Sequence, residues 1–229
     1  MTPVVFVPGL LCSSEVFAPQ MAALWPFGPV TVASTLEGKT LAEMAAAILA
    51  TAPERFALVG LSMGGYICFE IMRQAPDRVA KLALLNTSAR PDSPEEILQR
   101  RALLGQARRD FEATLAQVMP AILHPAHRND PLLRETNLRM GLTVGFDSFE
   151  RQTEAIIARV DSRPSLAEIR VPTLVIAGDS DPLMPRDRTE EIAAEIPGAR
   201  LVVIQECGHA STLEQPEAVG RALIDWITG

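Results

Sequence analysis

Gly60-Leu61-Ser62-Met63-Gly64-Gly65 pinches a serine between glycines, directly after the apolar run Phe56-Ala57-Leu58-Val59. The run reads as a buried strand, and Tyr66–Met72 beyond it as a buried helix that stops at Pro76. A turn this tight strains Ser62 and holds its hydroxyl clear of the sheet, at the positive end of a helix. That is the setting of a nucleophile. A serine hydroxyl is weak at neutral pH, however, and needs a base. Three histidines are available. His209 lies in Glu206-Cys207-Gly208-His209-Ala210-Ser211, just past the apolar run Leu201–Ile204, and so on the strand edge that carries Ser62. His124 and His127 form a His-x-x-His pair around Pro125 with only Asp130 nearby, so no metal centre is expected there and the pair reads as surface or pocket wall.

The base in turn needs an orienting carboxylate. Gly178-Asp179-Ser180-Asp181-Pro182 leaves a strand over 172–177 and offers two. Asp179, followed by serine, suits a turn that bonds its own backbone. Asp181, deeper in the loop and pinned by Pro182, can reach towards His209 and is the favoured residue; Asp92, beyond the strand Val79–Leu85, is its main rival. The chain order is then Ser62, Asp181, His209, as expected when the nucleophile comes first. Attack on a carbonyl also builds charge on its oxygen. Two backbone N–H donors are placed to meet it, Met63 at the helix start and Leu10 after Pro8-Gly9, each worth about 3–4 kcal/mol.

These residues must be held by a scaffold. Strands are expected at Val4–Val7, Val30–Ala33, Phe56–Gly60, Val79–Leu85, 172–177 and Leu201–Ile204. Helices fall between them: an Ala-rich one opened by a Thr40–Glu43 capping box, another closing the chain from about Glu217 to Ile227. Strands alternating with helices give an α/β fold, a mostly parallel sheet of six strands covered on both faces. The interval 88–163 breaks the rhythm, with no strand-like run. Ser93-Pro94-Glu95-Glu96, Asn129-Asp130-Pro131 and Asp147 with Glu150 look like helix starts. About four short helices would then form a cap inserted into a core of residues 1–87 and 164–229. Leaving from the carboxyl ends of the strands, it would sit over the ligand-binding edge. Leu103, Met119, Leu138, Met140, Val144 and Phe146 are its candidate pocket residues, which favours an apolar ligand portion.

With 229 residues, 48% of them hydrophobic, the chain suits a single domain with a sizeable core. A net charge of −7 without a basic cluster argues against a nucleic-acid partner. Cys12, Cys68 and Cys207 are widely spaced and odd in number, which suggests reduced thiols. Met1-Thr2-Pro3 runs straight into a strand without a basic leader, and no apolar run is long enough to span a membrane. A cytoplasmic protein is the expectation.

Val-Phe-Val-Pro-Gly-Leu (5–10), Gly-Leu-Ser-Met-Gly-Gly (60–65), Ala-Pro-Asp-Arg-Val (75–79), Gly-Asp-Ser-Asp-Pro (178–182) and Gly-His (208–209) together resemble the α/β-hydrolase superfamily, in its small cap-bearing esterase and lactonase-like group. The resemblance spans nearly all of the chain outside the cap. It implies Ser62 as nucleophile, Asp181 as acid, His209 as base and Leu10 and Met63 as oxyanion donors. It departs from the family pattern twice: Pro8-Gly9 stands where His-Gly is usual, and the chain begins at what resembles the third strand, leaving six. The implied activity is cofactor-free acyl-enzyme hydrolysis of a small ester, thioester or lactone. Carbon–carbon bond hydrolysis, a proton-abstraction elimination and a non-catalytic small-molecule receptor are the alternatives, because fold alone does not fix chemistry.

Overall fold

The computed structural model describes residues 1–229. Six strands, β1 (Val4–Val7), β2 (Val30–Val32), β3 (Phe56–Leu61), β4 (Val79–Leu85), β5 (Thr173–Gly178) and β6 (Arg200–Ile204), form one sheet. Its order is β2-β1-β3-β4-β5-β6 and every pairing is parallel. The order reverses direction at β1, so the carboxyl ends of β1 and β3 lie side by side where open α/β sheets bind ligands.

Alternation along the strands sorts the core into two layers. Val5, Val7 and Leu58 point to one face, where α2 (Leu41–Thr51), α3 (Met63–Gln74) and α8 (Arg186–Glu195) supply Met44, Ile67 and Ile192. Val4, Phe6 and Val59 point to the other, against Leu24 of α1 (Ala18–Leu24) and Leu223 and Trp226 of α10 (Pro216–Thr228). Burial on both faces explains why these strands read as continuous apolar runs.

Between β4 and β5 the chain is helical: α4 (Pro94–Arg109), α5 (Phe111–Val118), α6 (Pro131–Val144) and α7 (Phe146–Ile157). These helices share a small third cluster that includes Leu104, Leu115, Val144 and Phe149 and takes in Leu11 from the loop after β1. Ser93 and Glu96 form a complete capping box, and Asp130 caps α6 through the Leu132 and Leu133 amides. Two expected boxes differ. Thr40 accepts from Glu43 N–H, but the Glu43 carboxylate reaches Lys39 N–H instead of returning to Thr40. α7 starts one residue before Asp147, after Gly145 at a φ of 78°, and Glu150 pairs with Arg108 instead. No helix is long and apolar enough to cross a membrane.

Candidate active site

Ser62 stands between β3 and α3 with φ 54° and ψ −116°. For a residue with a side chain this conformation costs about 1–3 kcal/mol and survives only where its surroundings impose it. Here they do. A Cβ on Gly60 would come within 2.5 Å of Cys68 Sγ and of the Gly64 carbonyl, and one on Gly64 would overlap the Val7 carbonyl. Both glycines are therefore required for α3 to pass this close to the sheet. Thr87 Oγ1 donates to the Ser62 carbonyl at 2.8 Å and pins the turn from the β4 side.

The loops after β5 and β6 meet this turn. His209 Nε2 lies 2.9 Å from Ser62 Oγ, and His209 Nδ1 lies 2.8 Å and 3.1 Å from the two Asp181 oxygens. With the Nδ1 proton held by the carboxylate, Nε2 is left to accept from the serine hydroxyl. Asp181 is buried, and Leu183 and Met184 N–H each donate to its Oδ1 at 2.9 Å. Burial pushes its carboxyl up, but His209 and the Met184 N–H are among the partners that outweigh burial and hold it below the usual carboxylate range. A hydrogen-bonded line of carboxylate, imidazole and hydroxyl can withdraw a proton from the hydroxyl as it attacks.

The other candidate acids sit elsewhere. Asp179 accepts from Glu206 and Cys207 N–H, both at 3.0 Å, and so ties the β5 loop to the β6 loop. Asp92 is shared between Arg100, at 2.5 Å, and Arg159, at 2.7 Å. His124 and His127 do not reach the Ser62 cavity; His127 Nδ1 lies 3.1 Å from Glu214 Oε2.

Of the two candidate donors, Met63 opens α3, so its N–H has no intrahelical acceptor. Leu10 N–H donates to no backbone group of the protein. The loop that carries Leu10 runs through Pro8-Gly9 and is held from α7. Fully buried Gln152 of α7 donates to Thr35 at its carbonyl (3.0 Å) and hydroxyl (3.2 Å), while its Oε1 faces Leu11 N–H at 3.5 Å.

Ser62 and His209 open on a cavity of about 620 Å³, in which 16 of the 26 lining residues are hydrophobic, a size and character that suit a small molecule with an apolar part. Leu103 and Met119 line it. Leu138, Met140, Val144 and Phe146 do not: Met140 is buried in the sheet core, Leu138 and Phe146 pack on the third cluster, and Val144 borders a separate cavity of about 230 Å³. α6 turns Leu138, Met140 and Val144 inward to hold itself down, leaving Asn137 as its contribution to the wall, and Phe146 opens α7.

Two residues that sequence reasoning did not single out complete the site. Asn86, just after β4 at a φ of 46°, donates to Asp181 Oδ2 at 2.9 Å and to the Gly208 carbonyl at 3.2 Å, and accepts from Ser211 Oγ at 2.6 Å. An asparagine at a strand end, where left-handed backbone is tolerated, was the available signal. Glu214 of the short helix α9 (Ser211–Glu214) is the other. Its buried side chain takes the amides on either side of His209, Gly208 and Ala210, at 3.1 Å each, and His124 N–H at 2.7 Å.

Residues 37–216 match the model of a family described as the alpha/beta hydrolase fold. The chain is 28% identical over 223 residues to a pimeloyl-[acyl-carrier protein] methyl ester esterase from Aromatoleum aromaticum, covering 84% of this chain and 82% of that protein. Among solved structures, a thermophilic esterase from Thermogutta terrifontis with malate bound superposes with a TM-score of 0.88 at 30% identity, over 100% of this chain and 90% of that one. An enol-lactonase from Burkholderia xenovorans gives 0.90 at 28% identity, over 100% and 92%. With its parallel six-stranded sheet, its strained serine turn and this span of sequence similarity, the chain belongs to the α/β-hydrolase fold family.

Proposed function

We propose that the protein is a serine carboxylic ester hydrolase that works through an acyl-enzyme intermediate. Ser62 attacks the ester carbonyl, and His209 takes its proton and returns it to the leaving alcohol. Asp181 holds the imidazole, while the Leu10 and Met63 amides receive the oxyanion. Water, activated by the same histidine, then releases the acid. One observation carries this reading: the unbroken hydrogen-bond line Asp181–His209–Ser62 that ends at a cavity. The esterases and the enol-lactonase among its relatives support it. On this reading residues 88–163 act as a cap on a core of 1–87 and 164–229, and the substrate is a small ester, thioester or lactone with an apolar portion. Three unpaired cysteines, whose thiols burial pushes up, fit a reducing cytoplasm.

The test is intact-mass spectrometry after exposure to a fluorophosphonate, with a panel of p-nitrophenyl esters alongside. One adduct and ester turnover on the wild type, both lost in Ser62→Ala, are expected. An unlabelled wild type that turns over no ester refutes the reading.

A further inference from the structure

One wall of the Ser62 cavity is not apolar. α4 contributes Glu96, Gln99 and Arg100, α8 contributes Arg188, and Tyr66 of α3 stands beside them. The charges on this wall do not cancel. Asp92 is shared by Arg100 and Arg159, and Glu96 lies 3.4 Å from Arg188. Three guanidinium groups thus face two carboxylates. One Glu96 oxygen is already committed to Ser93 N–H at 2.7 Å. Arg188 makes only the one long bond, leaving most of its five N–H donors free, and Arg100 spends only two donors on Asp92.

Tyr66 gives a second, independent indication. It is only 3% exposed, with Arg159 stacked over its ring at 4.4 Å, yet its hydroxyl finds no oxygen acceptor and meets only Met184 Sδ at 3.9 Å. Burial raises the phenol above its usual range, against the pull of Arg159 and Arg100, so it stays a donor. A thioether sulfur is a weak acceptor, so a ligand oxygen would give this hydroxyl a stronger bond than Met184 does.

We propose that this wall is a carboxylate-binding subsite, in which Arg100, Arg188 and the Tyr66 hydroxyl receive an anionic group on the substrate portion that fills the cavity. The preferred substrate is then an ester or lactone that also bears a free carboxylate, held by charge-assisted bonds while its chain lies on the apolar walls. The inference rests on the esterase reading above and refines its substrate class.

A matched pair of esters tests it: p-nitrophenyl valerate and mono-p-nitrophenyl glutarate, which differ by a terminal methyl against a terminal carboxylate. The wild type is expected to favour the glutarate in kcat/KM by about tenfold or more, equivalent to a single charged hydrogen bond. Arg188→Gln and Tyr66→Phe should each lower the glutarate-to-valerate ratio, mainly through KM. A wild-type ratio at or below one, or a ratio that neither variant moves, overturns the subsite and leaves the esterase reading intact. Binding gives a readout that does not need turnover. Free glutarate should raise the Tm of Ser62→Ala and do so less for Ser62→Ala/Arg188→Gln; equal shifts, or none, also overturn it. If neither ester is hydrolysed, the esterase reading fails, and the glutarate shift still decides whether the wall binds a carboxylate.

Discussion

Glu214→Gln removes one charge and keeps the shape, so it isolates what the carboxylate does. Glu214 Oε1 accepts from Gly208 and Ala210 N–H, on either side of His209, and Oε2 accepts from His124 N–H and faces His127 Nδ1. An amide has one oxygen. If glutamine turns it to the two loop amides, its NH2 faces His124 N–H and strands that donor; the opposite orientation strands two. At least one hydrogen bond to a charged group is lost, about 1.5–3 kcal/mol. For a domain of this size each kcal/mol moves Tm by about 2–4 °C, so a fall of about 3–12 °C is expected. The His124 turn is also bonded to the His209 loop through His209 N–H and the Ile122 carbonyl at 2.9 Å, and loosening one clamp loosens the imidazole. Displacements of an ångström near reacting groups cost up to about 10²-fold. A fall in kcat of about tenfold, with KM little changed, is therefore expected on a p-nitrophenyl ester, read together with calorimetric Tm. A Tm within 1 °C and a kcat within about twofold of wild type would refute the clamp.

Asp181→Asn should lower kcat by about 10³–10⁴, because an amide stabilises neither the tautomer nor the imidazolium. Asp92→Asn and Asp179→Asn should lose less kcat than this, and Asp92→Asn should show chiefly as lost stability, since it strands Arg100 and Arg159; the reverse ranking would move the acid. For acid stability, burial raises the carboxyls of Asp92, Asp179 and Asp181, but their guanidinium, amide and imidazole partners outweigh it and hold all three low. Each therefore binds its proton more readily in the unfolded chain. Their stabilisation is present above about pH 4 and is lost as pH falls through the folded values. Urea midpoints measured from pH 7 to pH 3 should drop below about pH 4, and less steeply in Asp181→Asn; parallel profiles would count against the assignment.

The sheet was legible because burial on both faces writes each strand as an uninterrupted apolar run ending in turn residues, as in Phe56–Leu61. The serine turn was legible for a steric reason, since only glycine fits at 60 and 64. What escaped are residues whose partners lie far along the chain. Asn86 meets Asp181 across 95 residues, Glu214 meets His124 across 90, and Gln152 meets Thr35 across 117. None lies in a local motif that would announce such a partner. Four of the six expected pocket residues lie away from the Ser62 cavity for a related reason. Apolar spacing on α6 shows that Leu138, Met140 and Val144 are turned inward, but a helix over a cavity has two inward directions, one to the scaffold and one to the ligand. Sequence spacing cannot tell them apart, because both want the same side chains. Polar residues carry the missing information. An asparagine or arginine on an inward face must find a partner, and Asn137, Arg100 and Arg188 line the cavity with donors their neighbours do not fully occupy. The specificity of this enzyme is therefore to be sought in the polar residues that α4, α6 and α8 turn towards the cavity, where hydrophobic pattern gives no warning.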